Sequence, residues 1–385
     1  MEIHKVKKGE TVYSIAREYG VSPAKIIENN GLKNPDKLAE GRELLILFPT
    51  RTYTARRGDT LDMISKRFSV SRSELMKNNP TLRGRDKIYP EEVFAVRYPN
   101  RTHGIALLCG YLYSGCQRER LMLTLPYLSH LALSSYVYDK GRLRRLFDTR
   151  EAIESTRSLG KNPLVRIYCR PPCSPEDFGE RFIRQARDAA ISEGCDGIVL
   201  SAVEMVNEDR YADFLFEMKK ELLSEGLTLW LETNGKICER CLDTADSVII
   251  CAEDSLAKGA DACHSEAQEL YRAFAQRLDT SNAFIDLSPF AYKNGEAMPI
   301  DTALSYADSI GAKIDSSQDG MLLKFNSGKD EIILPSKRSI KAKLDLVGEL
   351  GYLGCAIDIM RCPVSHLMML SSLFHLSPDY FSGGI

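Results

Sequence analysis

The chain has 385 residues, 44% hydrophobic and 27% charged, with a formal net charge of −2. That size predicts two or three folding units at roughly 100–200 residues each, and the composition is that of a globular protein. The charge gives no case for a nucleic-acid partner. No apolar run approaches the roughly 20 residues of a membrane helix, so no membrane partner is expected. The eleven cysteines are scattered and odd in number, which speaks against a secreted disulfide scaffold.

Met1-Glu2-Ile3-His4-Lys5-Val6 enters a repeat at once, without an h-region or cleavage site, so no signal peptide is expected. Gly9-Glu10-Thr11-Val12-Tyr13-Ser14-Ile15-Ala16 matches Gly58-Asp59-Thr60-Leu61-Asp62-Met63-Ile64-Ser65, an offset of 49 residues. Tyr19-Gly20-Val21-Ser22 matches Phe68-Ser69-Val70-Ser71, and Asn29-Asn30 matches Asn78-Asn79. Each copy reads strand, helix, helix, strand. Thr11 and Thr60 are placed to cap the first helix, Ser22 and Ser71 the second. Val12, Ile15 and Ala16 form an apolar face at helical spacing, as do Leu61 and Ile64.

These copies, residues 4–49 and 52–99, resemble LysM modules, small βααβ domains that bind N-acetylglucosamine-containing glycans. The resemblance implies a glycan site between two loops of each copy. In the first copy these hold Gly9, Glu10, Thr11 and Val12, with Asn30, Gly31 and Leu32. In the second they hold Gly58, Asp59, Thr60 and Leu61, with Asn79, Pro80, Thr81 and Leu82. The alternative for each Gly, Thr and Asn is a turn or cap and nothing more. The second copy departs at Pro90-Glu91, where the first has Glu40-Gly41.

After Pro99-Asn100-Arg101, short apolar runs alternate with helix-like segments, which predicts a parallel βα barrel. Strands one to three are expected at 105–111, 131–138 and 164–168, strands four to six at 198–203, 227–232 and 247–251, and the last two at 283–287 and 354–359. A β-rich insertion falls before strand eight, with strands near 321–325 and 331–334, and Ser339 to Leu344 is expected to start the final helix. The single Trp230 alternates with Leu229 and Leu231, which predicts that it faces the packed helices.

Asp196-Gly197-Ile198-Val199-Leu200-Ser201-Ala202-Val203-Glu204 resembles the fourth-strand signature of family 18 glycoside hydrolases, Asp-Gly-x-Asp-x-Asp-x-Glu. Asp196 and Gly197 keep the opening pair. Val199, Ser201 and Val203 stand where the signature has its acids, and Glu204 comes one residue late. Side chains alternate along a strand, so Glu204 reaches the barrel mouth only through a bulge. The family's Met-x-Tyr-Asp motif corresponds to Cys251-Ala252-Glu253-Asp254, and its strand-eight Trp falls near Ile357 or Asp358. The resemblance implies Glu204, Asp196 and Asp254 as the catalytic candidates of an active enzyme, and a barrel without hydrolysis if the changed positions decide. Glu232, Asp286 and Asp358 also fall near strand ends, either as acid–base candidates or as helix caps.

Cys169-x3-Cys173 and Cys238-x2-Cys241 follow strands three and five, and Cys116 and Cys362 follow strands one and eight. Cys-x2-Cys is a zinc-ligand spacing, but its usual second copy is missing. Neither metal nor cofactor is expected; free thiols or later cross-links are the alternatives.

The reading is two βααβ modules (1–49 and 50–99), then a (β/α)8 TIM barrel (100–385) with a small inserted α+β subdomain at about 295–335. The expected partners are N-acetylglucosamine polymers, peptidoglycan or chitin-like, together with spore-coat proteins. Resemblance to LysM–family 18 proteins of spore germination implies synthesis in the mother-cell cytoplasm and a place in the spore envelope, with or without hydrolysis of cortex fragments.

Overall fold

The computed structural model describes residues 1–82, 84–99, 103–139, 141–169, 178–201, 209–234, 237–252, 263–287 and 290–376. In the first module, strands Glu2–Lys5 and Glu43–Ile46 pair antiparallel around helices Val12–Tyr19 and Pro23–Asn30. Thr11 accepts from the Ser14 N–H, and the Ser14 hydroxyl accepts from the Thr11 N–H, a reciprocal cap. Ser22 holds the cap position of the second helix but makes no side-chain cap bond, contrary to expectation; Pro23 in the first turn pre-sets the backbone instead. Val12, Ile15, Ile26, Leu44 and Ile46 form the core.

The second module repeats this with strands Arg51–Thr54 and Val93–Arg97 and helices Leu61–Phe68 and Arg72–Lys77. Thr60 and Ser71 both cap. The Gly41 and Glu91 N–H groups donate to the matching Val6 and Ala55 carbonyls, and both residues have positive φ, 85° and 69°. Glycine adopts that conformation without strain; glutamate does not.

Eight parallel strands close the barrel: Ile105–Leu112, His130–Asp139, Asn162–Cys169, Gly197–Ser201, Thr228–Thr233, Ser247–Ile250, Ala283–Asp286 and Gly354–Asp358. Each pairs with its neighbour in sequence, and the eighth pairs with the first. Alternation divides their side chains between two layers. Leu107, Cys109, Leu164, Val199, Ile249 and Phe284 fill the barrel, while Leu108, Val165, Ile198, Leu229 and Ile250 pack outward among the helices. Trp230 belongs to the inner layer, against Phe284 and His130, so its expected orientation toward the helices is corrected. Leu229, Trp230 and Leu231 put apolar side chains on both faces of this strand, and alternation alone does not say which face points in.

The insertion forms a five-stranded antiparallel sheet between Ala291 and Pro335, with helix Ile300–Ile310 packed on it. Ser339 to Leu344 lies in helix Lys337–Glu349, which precedes strand eight; a further helix, Val364–Leu373, follows that strand and is the last among the described residues. This last helix is buried nearly all round, as a helix wedged between the barrel and the first module must be.

Specific polar contacts dock the modules. Asp308 accepts from the Ala39 N–H at 2.9 Å and pairs with buried Arg42. The Ile314 N–H donates to the Glu40 carbonyl (2.8 Å), and the Lys337 N–H to Glu43 Oε2 (2.6 Å). The Tyr127 hydroxyl donates to the Lys77 carbonyl at 2.6 Å. The modules meet each other through Lys25, which donates to Asn79 Oδ1, and through the Thr81 hydroxyl, which donates to Glu28, both at 2.7 Å.

Candidate functional site

The centre of the barrel interior is charged. Arg166 on strand three donates from Nε and Nη2 to the two oxygens of Glu232 on strand five, at 2.8 and 2.7 Å. Between them, on strand four, Ser201 Oγ accepts from Nη2 at 3.1 Å, and Ser134 Oγ accepts from Nη1 at 3.1 Å. The guanidinium lies 4.9 Å from the Tyr111 ring centroid and 5.8 Å from that of Tyr113. Burial pushes the Glu232 carboxyl up, but the charge and paired hydrogen bonds of Arg166 outweigh it and hold the group below its ordinary value. Burial likewise opposes the Arg166 charge, and Glu232 more than restores it. Glu232 is therefore a structural carboxylate, ill-suited to give up a proton as a general acid.

Val199 and Ser201 point inward, the direction expected of the signature face. Val203, Glu204, Glu253 and Asp254 lie outside the described residues, and with them two of the three catalytic candidates. The third, Asp196, lies at the opposite end of strand four from the mouth. It precedes the first residue of strand four, about 15 Å of extended chain from the mouth, and pairs with Arg157 at 2.5 Å. Its neighbour Gly197 accounts for the Asp-Gly pair, because a Cβ there would meet the Thr228 backbone oxygen at 2.5 Å. Asp358 at the end of strand eight is buried, and burial pushes its carboxyl up; its Oδ1 accepts from the Met360 N–H at 2.9 Å, a local turn bond. Asp286 ends strand seven, half-buried.

The five grouped cysteines among the described residues do not gather into one site. Cys173 lies outside the described residues. Cys116 and Cys362 direct their thiols to the carbonyls of their own next residues. Among the described residues of this group, Cys238 and Cys241 bring their sulfurs into contact, 3.1 Å apart. Among the described residues no three His, Cys, Asp or Glu side chains gather as metal ligands.

In the modules, the expected glycan loops are held by their own bonds. Glu10 accepts from the Lys7 N–H and bonds His4; Asp59 accepts from the Arg56 N–H and the Tyr53 hydroxyl. Asn30 and Asn79 clamp their modules' last strands at Leu45 and Ala95. Val12 and Leu32 share one core, Leu61 and Leu82 the other. Gly9, Thr11, Gly31, Gly58, Thr60 and Thr81 remain exposed. The structure brings the later loops together: Gly31, Leu32, Pro80 and Thr81 line a single cleft of about 430 Å3 with Arg120 and Asp301 of the barrel and insertion. The earlier loops, Gly9 to Val12 and Gly58 to Leu61, do not line it. Sequence reading missed Arg166, whose signal was a lone charge inside an apolar strand. It also missed Asp301, whose approach to the modules follows only from tertiary packing.

The LysM domain family matches residues 4–47 and 53–96. The chain is 26% identical over 259 residues to the putative sporulation-specific glycosylase YdhD of Bacillus subtilis, covering 61% of this chain and 59% of that one. It is 32% identical over 99 residues to the endolysin of Bacillus phage B103, covering 24% of this chain and 38% of that one. It thus spans less than two thirds of either relative. The fold is similar over nearly its whole length to the spore cortex-lytic enzyme SleL of Bacillus megaterium (TM-score 0.73, 17% identity, 97% and 98% of the two chains). That of Bacillus cereus is similar too (TM-score 0.72, 20% identity, 98% and 99%). The barrel alone is similar to a chitinase from Chromobacterium violaceum (TM-score 0.61, 13% identity, 69% and 98%). The chain therefore carries two LysM domains followed by a chitinase-like barrel.

Proposed function

We propose that this chain binds N-acetylglucosamine polymers of the peptidoglycan or chitin type through its LysM domains, and that its barrel serves as a binding or scaffolding element without glycosidase activity. One observation carries the second half: Arg166 and Glu232 close into a neutral pair where Ser201 replaces an acid. A retaining mechanism that uses the substrate's acetamido group needs a proton donor and a carboxylate that orients the amide, and Ser201 cannot carry that charge. The spore cortex-lytic and sporulation-specific proteins it resembles support a place in the spore envelope, with coat proteins as neighbours. Two modest glycan sites on one chain gain through effective concentration. The test is co-sedimentation of the full chain with insoluble peptidoglycan and with chitin, the supernatant being assayed for new reducing ends. Sedimentation without new ends is expected; protein left wholly in solution on both polymers overturns the binding half, and new ends overturn the other.

A second reading has one observation in its favour. Asp358 is a buried carboxyl at the end of a barrel strand, and burial pushes it above its ordinary value. On that reading the barrel is an N-acetylglucosaminidase acting on cortex fragments, with Glu204 as its acid.

A further inference from the structure

The Cys-x2-Cys pair after strand five is absorbed by neither reading. Cys238 caps the short helix Glu239–Thr244 in extended backbone, and Cys241 follows one turn on, so both thiols lie on one side of that turn. Their sulfurs are 3.1 Å apart, and disulfide formation needs only a small further approach. The two differ in access: Cys238 is partly exposed, whereas Cys241 is fully buried in the layer between strands and helices. The preceding residue is tied down, since the Ile237 carbonyl accepts from Arg277 at 3.2 Å. We propose that Cys238 and Cys241 form a reversible dithiol–disulfide couple that exchanges with small-molecule disulfides.

The access difference assigns the roles. The Cys238 thiolate attacks one sulfur of the small disulfide, forming a mixed disulfide and releasing one thiolate. Cys241 then loses its proton and attacks Cys238 Sγ, which breaks the mixed disulfide and releases the second thiolate. Two protein thiols are oxidised by two electrons, one small disulfide is reduced to two thiols, and those thiols take up the two protons. Burial, with Cys238 beside it, pushes the Cys241 thiol up to about 12, so it stays protonated until the mixed disulfide is next to it. The bond would fasten the helix start beyond the strand that carries Glu232.

The reduced full chain is equilibrated with glutathione disulfide and mapped by peptide mass spectrometry after alkylation. The expected result is loss of two hydrogens, a Cys238–Cys241 bond, and its reversal by excess dithiol. Cys241→Ser is expected to trap one glutathionyl group on Cys238, and Cys238→Ser to leave Cys241 a free thiol, each in protein whose near-ultraviolet circular dichroism matches the parent. The wild-type map stands even if a variant fails to fold. Recovery of both residues as alkylated thiols, a bond from either to another cysteine, or a glutathionyl group persisting on wild-type Cys238 overturns the proposal.

Discussion

Arg166 and Glu232 face each other across strand four through two hydrogen bonds of 2.8 and 2.7 Å, both nearly out of reach of solvent. The pair sits above an apolar layer containing Trp230 and Phe284, so neither charge has water to fall back on. Breaking such a pair costs more than deleting it. Arg166→Met is expected to destabilise the fold by about 3–5 kcal/mol, and Arg166→Met combined with Glu232→Leu to recover most of that loss. Urea unfolding of the two variants checks the order.

The same pair sets an acid limit. The Glu232 carboxyl is held below its ordinary value of 4.5. A carboxylate with a depressed folded value stabilises fully above the unfolded value, and the effect is lost as pH falls from there toward the folded one. The advantage of wild type over Glu232→Gln is expected to be flat from neutral pH to about pH 4.5 and to shrink below it. Urea midpoints at stepped pH measure this; an advantage that grows on acidification would refute the ion pair.

The two modules differ at one matched position. Gly41 cannot take a Cβ, because that atom would lie 2.0 Å from the Ile314 carbonyl oxygen of the insertion. Gly41→Ala is expected to cost about 3 kcal/mol or more through backbone displacement and left-handed strain. Glu91 carries the strain already. Glu91→Gly should release ~1–2 kcal/mol of it against ~0.4–1 kcal/mol of added unfolded-chain entropy, a net gain of about 1 kcal/mol. Thermal melts of both variants, moving in opposite directions, are the check.

Much of this was legible in the chain. Each barrel strand is a short apolar run after a turn, and hydrophobic periodicity needs no tertiary knowledge to be read. The module caps at Thr11, Thr60 and Ser71 are local bonds within four residues. What stayed hidden depends on closure. Trp230 points inward because the barrel curves that way, and the partners Arg166 and Glu232 are two strands apart, a neighbourhood that no spacing encodes. The placement of Asp196 at the start of its strand follows from where the strand begins, which the motif marks along with its far end.

Zinc is the next expectation. Cys238 and Cys241 supply two thiolates, whereas a structural zinc needs four ligands, and no third joins them among the described residues. Elemental analysis of protein purified without chelator is expected to find no stoichiometric zinc. Zinc at one per chain that disappears in the Cys238→Ser, Cys241→Ser double variant would prove this wrong and put a metal in place of the redox couple.

The last expectation concerns turnover. Hydrolysis needs a protonated carboxyl at the leaving oxygen and a negative partner for the positive intermediate. Ser201 is inside the barrel and offers a hydroxyl, already accepting from Arg166. Glu232 is near but is neutralised by the same arginine and kept ionised, the wrong state for an acid. Loss of general acid catalysis alone costs roughly 10²–10⁴ in rate, and the missing partner for the positive charge adds to that. Activity on a chromogenic chitobioside and on cortex fragments is therefore expected at background, unchanged by Glu204→Gln. Ser201→Asp is not expected to restore it. The new carboxylate would share Arg166 with Glu232, and two carboxylates on one cation push one of them toward the neutral form without supplying a proton donor at position 203. Turnover in the parent that Glu204→Gln abolishes would instead place the acid at Glu204 and make the barrel an enzyme.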